Sequence, residues 1–176
     1  MPTVRTVAFR PMRTFAALWA FVAVMAAAPA HAGEQELFRI ERSVNGNVVR
    51  YDARVRSDGT LDPEHPVTAY WVLAGQGSRR EALTSLERSL AYGFSLHQSR
   101  DGLYLKLVAC ERRWVGLRKD NDGWHAELAI AGKWSVLRSI WVQVDSGFLG
   151  PRVRWIELRG SDRATGAPVA ERLTNG

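Results

Sequence analysis

Strict alternation is the clearest pattern in the chain. Over residues 48–56, Val49, Tyr51, Ala53 and Val55 alternate with Arg50, Asp52, Arg54 and Arg56, so the first set is expected to face a core and the second to face water. Residues 37–42 repeat the pattern, with Phe38 and Ile40 set against Arg39 and Glu41. Asn45-Gly46 between the two runs predicts a hairpin turn. A loop begins at Ser57-Asp58-Gly59 and ends at Pro63 and Pro66. Residues 67–74 then read as a strand buried on both faces, because the apolar run lacks alternation.

One stretch has a helical period instead. Ser78 and Glu81 have capping-box spacing, Leu83, Leu86 and Leu90 form a stripe, and Gly93 stands where a left-handed C-cap belongs. The expectation is one α-helix over about 79–92 that buries its stripe against a sheet. Strand signals then return at 94–99, 103–110, 112–119, 123–130, 136–144, 153–160 and 169–173. Asp101-Gly102, Asp122-Gly123 and Gly132 mark short connections, and longer loops are expected at 147–151 and 160–168. Many short strands with tight turns must hide both an apolar face and their edges. The fold expected is therefore mainly β: an antiparallel β-sandwich or closed β-barrel of about eight to ten strands with one inserted α-helix. An eight-stranded outer-membrane barrel would be about this long but has no place for the capped helix.

The first 32 residues follow none of these periods. Arg5, Arg10 and Arg13 are their only charges, and residues 15–28 form an apolar run of fourteen. That is the length of a signal-peptide core and short of the ~20 residues of a membrane anchor. Pro29 ends the run, and Ala30-His31-Ala32 places cleavage before Gly33. Residues 1–32 are thus expected to be a signal peptide and residues 33–176 a single β-rich domain, periplasmic or secreted, with no transmembrane segment after signal cleavage. No Cys follows the site and no Arg-Arg pair precedes the apolar run, which favours the general secretory route over a lipoprotein anchor or twin-arginine export.

Charge changes once that segment is set aside. Three of the 24 basic residues and none of the 18 acidic ones lie in it, which leaves a formal net charge of +3. That mild balance carries no clustered basic footprint, so nucleic acid is not an expected partner. Cys110 is the one cysteine; it cannot form an intramolecular disulfide and reads as a small buried hydrophobe in an apolar strand.

Catalytic and metal chemistry find little support. His65, His97, His125 and Cys110 are the remaining soft ligands, and no two lie at ligand spacing, so neither a metal nor another cofactor is expected. Gly93-Phe94-Ser95-Leu96 lacks the second glycine of a nucleophile elbow. Pairing of Cys110 with His97 or His125 has no local signature.

Two candidate sites remain. Gly75-Gln76-Gly77-Ser78-Arg79-Arg80 would join a strand to the helix start, where backbone N–H groups and the guanidinium groups of Arg79 and Arg80 could hold an anion. It lacks the third glycine of a dinucleotide fingerprint. The second is a polar-aromatic set: Arg42, Ser43, Asn45, Asn47, Tyr51, Asp52, Tyr70, Trp71 and Tyr92. Such residues combine fixed donors and acceptors with rigid stacking surfaces, which recognition of a polar ligand needs. Their ordinary roles are turn formation for the Asn residues and core packing for the aromatic ones. Trp114, Trp124, Trp134, Trp141 and Trp155 read as core and girdle.

The segments FRIERSVNGNVVRYDARV, HPVTAYW and LAYGF resemble the domain of unknown function 4833 family of small exported bacterial proteins. The likeness lies in residues 38–52, 66–71 and 90–94 and extends less specifically over 155–171; Gly46 departs from it. The resemblance implies an exported single-domain protein and transfers no activity or catalytic residue. The function expected is a non-enzymatic cell-envelope domain that binds a small polar ligand or a protein partner. The alternative is a hydrolase-type enzyme whose site is assembled from distant strands, with Glu41, Asp52, His97 and Asp145 as the side chains to inspect.

Overall fold

The computed structural model describes residues 33–110, 112–147 and 150–174; residues 1–32, expected from the sequence to be a signal peptide, lie outside them. Eleven strands follow in order: β1 Gly33–Arg42, β2 Asn45–Val55, β3 Val67–Leu73, β4 Arg79–Ala82, β5 Phe94–Ser99, β6 Gly102–Leu107, β7 Trp114–Asp120, β8 Gly123–Ile130, β9 Lys133–Gly147, β10 Gly150–Asp162 and β11 Pro168–Thr174. They form a curled mixed sheet, a half-barrel with one short helical insert. The mainly-β expectation with one inserted helix therefore holds. Every pairing is antiparallel except that of β1 with β9.

The long strand β9 organises the curl. Along one edge it pairs with β8 over Lys133–Val136 and then, in parallel, with β1 over Ser139–Val142. Its other edge carries β10, which pairs in turn with β11. Two wings therefore leave β9, one running β1-β2-β3-β4 and the other β8-β7-β6-β5. Their inner faces enclose the core. Phe38 stacks on Tyr51 at 4.5 Å within the first wing, and Tyr51 meets Phe94 of the second edge-on at 6.0 Å.

Local rules explain most of this. Val49, Tyr51 and Ala53 are buried as the alternation of β2 requires. A bulge between Glu36 and Phe38 inserts Leu37, so Leu37 and Phe38 both reach the interior. Gly160 stands at a register shift between β10 and β9, where a Cβ would lie 2.2 Å from the Val136 carbonyl oxygen. Only glycine lets the two backbones approach there.

Five expectations are corrected. The β1–β2 turn is Ser43-Val44, two residues ahead of Asn45-Gly46, which begin β2. Ser43 Oγ accepts from Val144 N at 2.9 Å and donates to Val144 O at 3.2 Å, which fixes the turn on β9. The helix begins late: Arg79–Ala82 pair with β3 as an edge strand, and helical structure runs from Ser85 to Tyr92, ending in a wide π-type turn over Arg88–Tyr92. The capping box is Thr84 with Glu87, not Ser78 with Glu81. Thr84 Oγ1 accepts the Glu87 N–H, and Glu87 Oε2 accepts the Thr84 N–H. The leucine stripe also divides. Leu83 is 4% exposed, whereas Leu86 and Leu90 are 67% and 69% exposed, facing away from the sheet. Gly93 is extended rather than left-handed; it is needed because a Cβ would strike the Arg88 carbonyl.

Candidate functional site

The barrel stays open at one seam. β4 covers only Tyr70–Leu73 of β3, so Val67–Ala69 keep a free strand edge, and β5 is the terminal strand of the opposite wing. The helical segment from Thr84 to Tyr92 spans the seam as a strap between β4 and β5. It is pinned to the core at its capping box, where Glu87 Oε1 accepts from Trp71 Nε1 at 3.0 Å. The Thr84 N–H, then the Thr84 hydroxyl, Trp71 and the Arg42 charge, hold the Glu87 carboxyl below its ordinary value.

Between the strap and the free edge lies a cleft of about 610 Å³, a size usual for small-molecule sites. Val67, Ala69, Leu83, Phe94 and Val108 give it apolar walls, and Ser85, Ser89 and Thr68 border it. Arg54, His65, Arg88 and Tyr92 complete its walls, with no carboxylate among the described lining. Arg54 projects from the outer face of β2. The loop before β3 brings His65 up to it, because Asp62 Oδ1 accepts the Glu64 and His65 N–H groups at 2.9 Å each. Those two bonds, with lesser help from the Arg54 charge, hold the Asp62 carboxyl below its ordinary value. Neither Arg54 nor Arg88 forms an ion pair among the described residues.

The polar-aromatic set predicted from the sequence is split by strand parity. Tyr51, Trp71 and Tyr92 gather inside the seam: the Tyr51 hydroxyl donates to Tyr92 O at 2.7 Å, and Trp71 meets Tyr92 edge-on at 5.2 Å. Arg42 joins them, its guanidinium 4.5 Å from the Trp71 ring. Asn45 and Asn47 serve the backbone nearby, accepting the N–H groups of Asn47 and Ala74. Asp52 and Tyr70 lie on the outer face. Asp52 was expected to be wet, yet it is 0% exposed, because Arg50 and Tyr70 close over it at 2.6 and 2.5 Å.

From Asp52 a ladder of alternating charge crosses that face through Arg50, Glu36, Arg39, Glu41, Arg159, Glu157 and Arg172. Arg159 and Arg172 lie over Trp141 and Trp155 at 5.1 and 3.9 Å. Much of the arginine is thus consumed in holding strands together.

The glycine-rich candidate loses its premise. Ala74–Gln76 make a single 3₁₀ turn, Gly77 and Ser78 are left-handed at φ 62° and 61°, and the chain then enters β4 rather than a helix. Gly75 and Gly77 serve that tight hairpin. Arg79 pairs with Glu81, and Arg80 pairs with Glu34 while covering the Tyr70 ring.

Catalytic geometry is thin. His125 Nε2 lies 2.8 Å from Asp120 Oδ1, and Arg163 donates to the other carboxylate oxygen at 2.7 Å. Arg163 above all, with the Asp122 N–H and His125, brings Asp120 down to about 2. No hydroxyl or thiol bonds to His125 among the described residues. His97 packs on Trp114, itself 46% exposed rather than core. Asp145 lies 3.9 Å from Arg154 on an exposed strand face. No group of three metal-ligating side chains occurs among the described residues, and no described helix is long and apolar enough to cross a membrane.

Sequence reasoning missed Arg54, His65 and Arg88. Arg54 looked like one more wet position of an alternating strand, and nothing in the sequence singled out Arg88; only the unfinished closure of the sheet brings them to one cleft. The family model described as Domain of unknown function (DUF4833) matches residues 38–172, most of the chain and all the elements that build the cleft. No curated protein and no solved structure matches. The chain belongs to the DUF4833 family.

Proposed function

We propose that this DUF4833 member is a non-enzymatic binding domain of the cell envelope that takes a small anionic ligand with an apolar part in the seam cleft. The observation that carries the reading is the cleft itself: the guanidinium groups of Arg54 and Arg88 line it beside apolar walls, with no carboxylate among the described lining. Converging positive charge selects an anion, and the apolar walls contribute burial of whatever the charge is attached to. The envelope location rests on the export pattern of residues 1–32 and is checked by sequencing the N-terminus of the extracytoplasmic product, which should begin at Gly33.

The binding reading is tested by thermal unfolding with aryl and alkyl carboxylates and phosphates beside their neutral analogues. A ligand that binds only the native state raises Tm. The anions should raise it more than the neutral compounds, and Arg54→Gln with Arg88→Gln should remove the difference. Equal shifts from charged and neutral compounds would reject the cleft as an anion site.

A further inference from the structure

A second space lies under the strap. It measures about 170 Å³ and is walled by Ile40 of β1, Ile140 of β9, Ile156 of β10, and Ala91, Leu107 and Ala109 around the strap's end. Its walls are apolar apart from the Cys110 thiol, whose titration burial pushes up, and the ring of Tyr92. Ala109 and Val153 on its rim are exposed, so it opens to solvent, and its apolar lining favours a hydrocarbon group over water.

Tyr92 borders both spaces. It sits at the end of the π-type turn, with Ala91 towards the inner chamber and Gly93 towards the cleft, and Leu107 and Val108 divide between the two in the same way. Wide π-type turns recur at functional sites because they re-aim side chains at the cost of helix regularity. We infer that cleft and chamber are two parts of one site for an anionic amphiphile, with the charged head at Arg54 and Arg88 and the hydrocarbon chain passing Tyr92 into the chamber. This rests on the proposed function for the head and adds the chain. The charge of the cleft walls, the apolar lining of the chamber and their shared residue favour one elongated occupant over two separate ligands.

The test is isothermal titration of the purified protein with alkanoates and alkyl phosphates of increasing chain length, run beside the primary alcohols. Each methylene that enters the chamber should tighten binding roughly four-fold until the chamber is full, for acids and alcohols alike. Ala109→Phe and Ala91→Phe, which fill the chamber from two different elements, should flatten that slope and leave the shortest acids unchanged. The inference is overturned if the wild-type protein shows no chain-length dependence, or if the slope survives in both filled variants. The acid–alcohol difference reads the cleft separately: if it is absent and Arg88→Gln changes nothing, the anion reading fails, and with it the amphiphile, while a surviving slope would mark the chamber as a purely apolar site.

Discussion

Tyr70 donates its hydroxyl hydrogen to Asp52 Oδ2 at 2.5 Å, joining β3 to a carboxylate that is fully buried on the outer face of β2. Arg50 Nε holds the other oxygen at 2.6 Å. The carboxylate therefore has both oxygens engaged and reads as a structural anchor, not as a general base. Tyr70→Phe should cost about 1.5–3 kcal/mol, as a hydrogen bond to a charged group does, measured as a shift in urea midpoint with an unchanged slope. A change below half a kcal/mol would show that the pair carries little load.

Two of the four tyrosines are expected to resist ionisation. Burial, then Tyr92, pushes the Tyr51 phenol well above its ordinary value, and burial, then the bond to Asp52, does the same for Tyr70. A group whose folded pKa is raised contributes stability that is fully present below its unfolded pKa, about 10 for a phenol, and is lost as pH rises beyond that value. Near-ultraviolet titration should show two phenols ionising only as the protein unfolds in alkali. Tyr51→Phe or Tyr70→Phe should each remove one of these two late-ionising phenols.

At the acid end Asp120 carries the corresponding signal. Its folded value of about 2 lies below the unfolded value of about 3.9, so its contribution is present above about pH 4 and is lost as pH falls towards 2. Asp120→Asn should flatten the pH dependence of stability in that window, as followed by denaturant midpoints.

The strap leucines should separate cleanly. Leu83 belongs to the core, so Leu83→Ala should cost about 2–5 kcal/mol, whereas Leu86→Ala and Leu90→Ala should stay within about 0.5 kcal/mol. Equal costs at all three would mean that the stripe packs as an amphipathic helix after all.

How much of this was legible depends on the reach of the interaction. Alternation in β2 and the hairpin strands is set by neighbours one and two residues away, so Val49, Tyr51 and Ala53 could be placed from sequence. The helix start could not, because Ser78 and Glu81 imitate a capping box while Arg79–Ala82 are claimed by the edge of β3, a partner that sequence does not reveal. Parity undid the grouped site: Tyr51 and Asp52 are adjacent in sequence and lie on opposite faces of the sheet. The cleft was invisible for a further reason. It exists where the sheet fails to close, and Arg54 and Arg88 meet only because β4 stops at Ala82.

The central claim is that ligand enters at the seam, and amide chemical-shift mapping tests it most directly. On titration with octanoate or octyl phosphate, the account predicts perturbations centred on Arg54, His65, Val67–Ala69, Arg88–Gly93 and Val108, with the outer-face ladder from Arg39 to Arg172 silent. Saturable shifts centred on that ladder or on the Asp120–His125 hairpin, with the strap unmoved, would contradict it.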